Sequence, residues 1–130
     1  MPDHYVLIGQ TPVPEPDLLT WARNFEIENR RAAVSRVFDL CEVSTVFLGL
    51  NHQWRKGPPL LFETMAFWDG EGGWEQERCS TWAEAEKQHA ALVREVARPA
   101  SVWRFAARAL GEALRSAAAD WQEAWRELQI

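Results

Sequence analysis

Cysteine is scarce in this chain, with two among 130 residues, Cys41 and Cys79. Neither belongs to a CxxC pair and no HxxxH spacing accompanies them, so the close ligand spacing of structural zinc sites is missing. No metal and no other cofactor is expected. Lone thiols of this kind are usually core residues, and the two are read as reduced in a cytoplasmic protein. The apolar run Tyr5-Val6-Leu7-Ile8 is too short for the hydrophobic part of a signal peptide. Nowhere does the chain approach the ~20 apolar residues that span a bilayer, which argues against a membrane partner. Basic runs are missing too. Arg30-Arg31 and Arg55-Lys56 are isolated pairs in a chain of net charge −5. Direct nucleic-acid binding, which needs a basic stripe to replace phosphate counterions, is therefore not expected. Gly70-Glu71-Gly72-Gly73 lacks the Lys-Ser/Thr and the following helix of a phosphate loop. Ser44-Thr45 and Ser80-Thr81 lack the glycines of a nucleophile elbow.

What is present is ordinary globular material with one excess. Apolar residues at 47% and charged residues at 25% exclude a disordered chain. The length suits one domain, able to fold without disulfides or metal. Eight Trp are many for this length, and such side chains contribute most in cores and interfaces.

The pattern along the chain reads β-α-β-β-β-β-α-α. His4–Gly9 is a short apolar strand closed by Gly. Three prolines in Thr11–Pro16 make a stiff connector. Asp17 stands as N-cap of a helix of about fourteen residues, with Leu18, Trp21, Ala22 and Phe25 on one face. Residues 34–50 are rich in β-branched and aromatic types and divide into strands at about 34–39 and 43–50. A loop over Asn51–Pro59 leads to a strand over Leu60–Trp68. The Asp69-Gly70 and Gly72-Gly73 steps turn that strand back through Trp74–Cys79 as a hairpin. Thr81 and Glu84 form a capping box. Behind it Trp82, Ala85, His89, Leu92, Val93 and Val96 share a helix face that ends near Pro99. A last helix begins near Ala100 or Ser101. The expected class is α+β: an antiparallel sheet of about five strands, helices on one face, and a long C-terminal amphipathic helix. Residues 1–99 form the α+β body and 100–130 a helical extension.

That extension carries a near-heptad stripe of Trp103, Ala107, Leu110, Leu114, Ala117, Trp121, Trp125 and Leu128. A helix over 100–128 would be about 43 Å long at 1.5 Å per residue. A body of this size has a diameter of roughly 33 Å. Either Gly111 bends the helix back onto its own body, or the overhang packs on another chain. A homodimer through Trp103, Leu110, Leu114, Trp121, Trp125 and Leu128 is the favoured expectation, because closed two-fold pairs are the commonest oligomers.

The stretch Val43–His52, followed by Gly57-Pro58-Pro59-Leu60-Leu61-Phe62-Glu63-Thr64-Met65, resembles a signature of small hypothetical proteins of phages and prophages. Cys79–Glu86 with His89 resembles the closing helix of the same family. The likeness covers roughly residues 4–97. Asn51 stands where the family often has an acid before the His, and Phe67-Trp68 where it often has Gly. The resemblance implies a phage or prophage origin and no particular chemistry.

Three functional readings follow. The leading one is a non-enzymatic binder of a host protein, a counter-defence inhibitor of the anti-CRISPR kind being one form. Its candidate contact residues are Trp68, Asp69, Glu71, Trp74, Glu75 and Glu77, since aromatic anchors ringed by charge make binding hot spots. The second is a hydrolase-like enzyme with His52 and Glu63 as an acid–base pair and Cys41 or Cys79 nearby. The third is an aromatic pocket that sequesters a small metabolite. His89, on an apolar helix face, is read as a satisfied core residue.

Overall fold

Strict alternation builds the main sheet. In β4 (Cys41–Phe47) and β5 (Phe62–Trp68), Val43, Thr45 and Phe47 face the same way as Phe62, Thr64 and Ala66, and all six are buried. Successive side chains of a strand point to opposite faces, so this one face defines the core. The structure is a computed structural model that describes residues 3–69 and 73–129, with the backbone alone for 73–75. β3 (Arg31–Val37) and β6 (Gly73–Cys79) complete a four-stranded antiparallel sheet in the order β3-β4-β5-β6. α2 (Trp82–Val96) packs across it, touching all four strands and burying Ala85, His89, Leu92 and Val96. Thr81 caps α2, but only the Thr half of the expected box is made to the backbone, and the Glu84 carboxylate takes the Thr81 hydroxyl instead. That hydroxyl accepts the Glu84 N–H at 3.2 Å and donates to the Glu84 carboxylate at 2.9 Å.

The α+β class stands, but the sheet is divided differently from the expectation. The first strand, β1 (Tyr5–Ile8), does not join the main sheet. It pairs with β2 (Thr11–Pro14), the segment expected to be a mere connector. Prolines are tolerated there because β2 is an edge. Glu15 N–H donates to the His4 carbonyl, so the hydrogen-bonded pairs of this hairpin are His4–Glu15, Val6–Val13 and Ile8–Thr11. Pro12 and Pro14 occupy the alternate positions, whose nitrogens point away from β1.

α1 (Leu18–Ile27) is ten residues long, shorter than expected, and Asp17 caps it by accepting the Leu19 N–H. Trp21 ties this helix down. Its indole N–H is shared between the carbonyls of Tyr5 and Gly49, each at 3.1 Å. Gly49 has φ +74°, and a Cβ there would stand 3.3 Å from the Phe25 ring, so both backbone and space require glycine. Tyr5 then reaches the core cluster of Phe47, Leu61, Phe62, Cys79 and Ala85, with Leu7 and Trp82 packed against it.

The β3–β4 turn lies earlier than the sequence indicates. Leu40 N–H closes it on the Val37 carbonyl, and both central residues are left-handed, Phe38 at φ 50° and Asp39 at φ 56°. Two positive φ values are the signature of the hairpin turn whose twist matches the strands. The sequence has Phe-Asp there rather than Asn-Gly, and so gives no turn signal. The strands consequently run 31–37 and 41–47, not 34–39 and 43–50.

The chain divides into two compact units, Met1–Val96 and Ala97–Ile130. The second is built on α3 (Pro99–Leu128), which starts at Pro99 and is a single helix through Gly111. Proline suits a first helical turn because its missing N–H has no intrahelical partner to lose. Gly111 does not interrupt the helix. Thirty residues make α3 about 45 Å long. Among the described residues no helix is long and apolar enough to cross a membrane.

Candidate functional site

The deepest polar constellation lies between α2 and the sheet, and its logic is directional. The Arg78 carbonyl can only accept, so it takes the Gln88 amide N–H at 3.1 Å and fixes that amide's orientation. Gln88 Oε1 then accepts from the Thr64 hydroxyl at 3.5 Å, a long bond. With its proton spent, Thr64 accepts from Thr45 at 2.8 Å. Thr45 in turn accepts from His89 Nδ1 at 2.9 Å. That assigns the proton to Nδ1 and leaves Nε2 to accept from Ser35 at 2.8 Å. One neutral tautomer of His89 therefore satisfies five side chains in a single chain of donors. Burial holds the His89 ring below its ordinary pKa of 6.5, in agreement with a neutral imidazole. Thr45 and Thr64 are 1% and 0% exposed, so the network has no opening for a substrate at its centre. It orients the helix on the sheet. His89 is thus the satisfied core residue that its apolar helix face indicated, while its partners Ser35, Thr45, Thr64 and Gln88 were missed. Alternation in 43–47 and 62–66, which puts both Thr on the Val-Phe face, is the signal that could have found the two Thr.

Cys41 and Cys79 are both buried and unbridged. Burial, and then Glu84, push the Cys79 thiol up to about 11, so it is protonated at neutral pH. We expect a thiol-reactive disulfide reagent to label neither residue quickly in the native protein and to label both in denaturant. Rapid native labelling would contradict the burial. Among the described residues no group of three or more His, Cys, Asp or Glu side chains is placed to hold a metal ion.

His52 and Glu63 sit in different settings. His52 belongs to the loop after β4, its N–H bonded to the Leu60 carbonyl. Glu63 lies on the face of β5 turned away from α2, where its carboxylate is held by Arg78 at 2.9 Å and by Gln76. The Glu63 carboxylate is thus occupied by two donors of β6. An open cleft of about 500 Å³ is lined by Val6, Leu7, Ile8, Glu15, Asn24, Ile27 and Glu28, with no aromatic wall.

Of the expected contact residues, Trp68 and Asp69 stand at the hairpin end of β5, whereas Glu77 lies opposite Thr64, nearer the middle of the sheet. Trp68 is half-buried and faces Cys41 across the strands. Asp69 is exposed, its N–H bonded to the Leu40 carbonyl. Its carboxylate receives both bonds from one Arg36 nitrogen, at 2.9 and 3.0 Å. Glu77 is exposed on β6. The backbone of Trp74 pairs with Ala66, and Glu75 follows it in β6; Glu71 lies outside the described residues. Sequence reasoning missed the neighbouring turn. Phe38 is 65% exposed at its tip, beside Asp39, and Arg36 bridges Asp39 to Asp69. Phe67, in the row Arg36–Glu42–Phe67, is exposed on the same end. Asp39, Glu42 and Asp69 against Arg36 leave this patch acidic around two aromatic rings.

On α3 the stripe residues Trp103, Leu110, Leu114, Trp121, Trp125 and Leu128 are all exposed, and no residue of the helix is buried. Trp121 and Trp125 stack on each other with ring centroids 6.2 Å apart. The chain matches no known family model, and it has no significant match among curated proteins or solved structures.

Proposed function

We propose that this is a non-enzymatic, phage- or prophage-derived protein that acts by binding a host protein, with counter-defence inhibition as one form of that activity. The phage origin rests on the likeness of residues 43–65 to a phage protein signature. The binding role is carried by one observation, the exposed Phe38 held in a left-handed turn between Asp39 and the Arg36–Asp69 pair. A bulky residue at positive φ costs on the order of 1 kcal/mol or more. Exposing an aromatic ring at that expense has no folding rationale, whereas an anchor within an acidic rim suits a basic partner surface. Trp68, Asp69 and Phe67 extend the same end of the sheet.

The test separates binding from folding. Phe38→Asn removes the ring while supplying a residue that tolerates left-handed backbone. Affinity purification from bacterial lysate should recover a partner with the natural chain and lose it with Phe38→Asn, while the variant melts no lower. Equal recovery with both proteins, or no partner with either, would count against the reading.

A further inference from the structure

We propose that α3 is a self-pairing helix, and that two copies of this chain join through it as an antiparallel two-helix seam centred between Arg115 and Ser116. The inference goes beyond the host-binding role and does not rest on it.

The stripe keeps a strict alternation of four and three. Trp103, Ala107, Leu110, Leu114, Ala117, Trp121, Ala124 and Leu128 follow it without a slip across one unbroken helix. Sustained spacing of that kind is the seam pattern of paired helices. Its large members are exposed, Trp103 at 73%, Trp121 at 71% and Leu128 at 80%. Two Trp and three Leu exposed to this degree present on the order of 700 Å² of surface per chain, close to what each side of a standard interface buries.

Orientation follows from size and charge. Pairing two copies antiparallel about that centre places Trp103 against Leu128 of the second copy, Leu110 against Trp121, Leu114 against Ala117 and Ala107 against Ala124. Each Trp meets a Leu, and the one small layer lies between Trp layers that can lean into it. In-register parallel pairing would instead stack Trp on Trp and Ala on Ala, alternating crowded layers with gaps, which close-packed interfaces avoid. The charges agree. Residues 104–115 hold three Arg (Arg104, Arg108, Arg115) and one Glu (Glu112), a balance of +2. Residues 120–127 hold three acids (Asp120, Glu123, Glu127) and one Arg (Arg126), a balance of −2. Antiparallel pairing lays each positive half beside a negative one, while parallel pairing juxtaposes like halves. The contact is isologous and closed, so both stripes are covered without leaving a surface for a third chain.

The experiment uses the full chain in two steps. Light scattering at tens of micromolar should give twice the 14.9 kDa chain mass, falling to the single-chain mass for Trp121→Glu. No residue of α3 is buried, so that substitution leaves the Met1–Val96 unit intact, as continued protection of Cys41 and Cys79 from a thiol reagent would verify. Next, Ala107→Cys and Ala124→Cys chains are mixed and treated with a short bismaleimide. The antiparallel seam should link the two variants to each other and leave Ala107→Cys alone unlinked, because positions 107 of the two copies lie roughly 25 Å apart. A single-chain mass for the natural protein would overturn the pairing. Self-linking of Ala107→Cys without the mixed product would overturn the orientation.

Discussion

Replacing Phe62 with Ala is expected to destabilise the Met1–Val96 unit by about 3–5 kcal/mol, measured by urea unfolding. Phe62 is fully buried at the meeting point of every layer of that unit. Its ring lies 5.4 Å from Phe47 on β4 and 6.0 Å from Trp82 on α2, and it belongs to the cluster that holds Tyr5 of β1. Truncation removes the transfer energy of the ring and leaves a cavity that three rigid elements cannot collapse to fill. A small domain has only about 5–15 kcal/mol in total, so the loss should lower Tm by more than roughly 12 °C. Phe67, the exposed aromatic on the same strand, gives the control. Phe67→Ala should change stability by no more than about 1 kcal/mol. Similar losses for the two variants would show that the burial pattern of β5 is misassigned.

The second large effect concerns His89. The ring is neutral in the folded protein, with its pKa held below 6.5 by burial, whereas in the unfolded chain it titrates at the ordinary value. Between those two pKa values the unfolded state binds more protons, so stability rises with pH across that window. It levels off above about 6.5 and is lost as pH falls, until the folded-state pKa is passed. His89→Ala should cost about 2–4 kcal/mol at neutral pH, because the Ser35 and Thr45 hydroxyls lose their partner and a cavity opens. The same substitution should flatten the pH dependence just below 6.5. A variant that keeps the natural slope would place the responsible proton elsewhere. Thr64→Val interrupts the donor chain without removing volume and should cost less than His89→Ala, about 1–3 kcal/mol.

Local signals were legible and long-range ones were not. The Asp17 cap, the Thr81 cap and the apolar face of α2 depend on residues within one or two helical turns, and each formed as its spacing required. The hairpin of β5 and β6 was legible for the same reason, since the Asp69–Gly73 glycines mark its turn. The turn at Phe38 and Asp39 was illegible because neither residue advertises left-handed backbone. The turn is closed by the Leu40 N–H on the Val37 carbonyl and tied to the end of β5 by the Asp69 N–H on the Leu40 carbonyl and by the Arg36–Asp69 pair, thirty-three residues apart in sequence. β1 looked like a member of the main sheet because its composition is that of any strand. Its partner was hidden by prolines, and its other contacts, Tyr5 N–H to the Gly49 carbonyl and Leu7 N–H to the Glu28 carboxylate, belong to tertiary structure. Of the candidate site, Asp69 was found but its aromatic neighbour Phe38 was not, since exposure at a turn tip follows from the register rather than from residue type.

The prolines of β2 bear on how the molecule behaves in a crowded cell. An unprotected outer strand invites another polypeptide to zip alongside it, the first step of runaway polymerisation and of domain exchange. At Pro12 and Pro14 the outward positions have no hydrogen to offer an incoming strand, and on the inner side of the hairpin the Glu28 carboxylate blocks the amide of Leu7. The two-stranded ribbon therefore presents its outer flanks with their amide donors removed or already engaged, and a neighbouring chain would have to approach this part of the molecule through side chains.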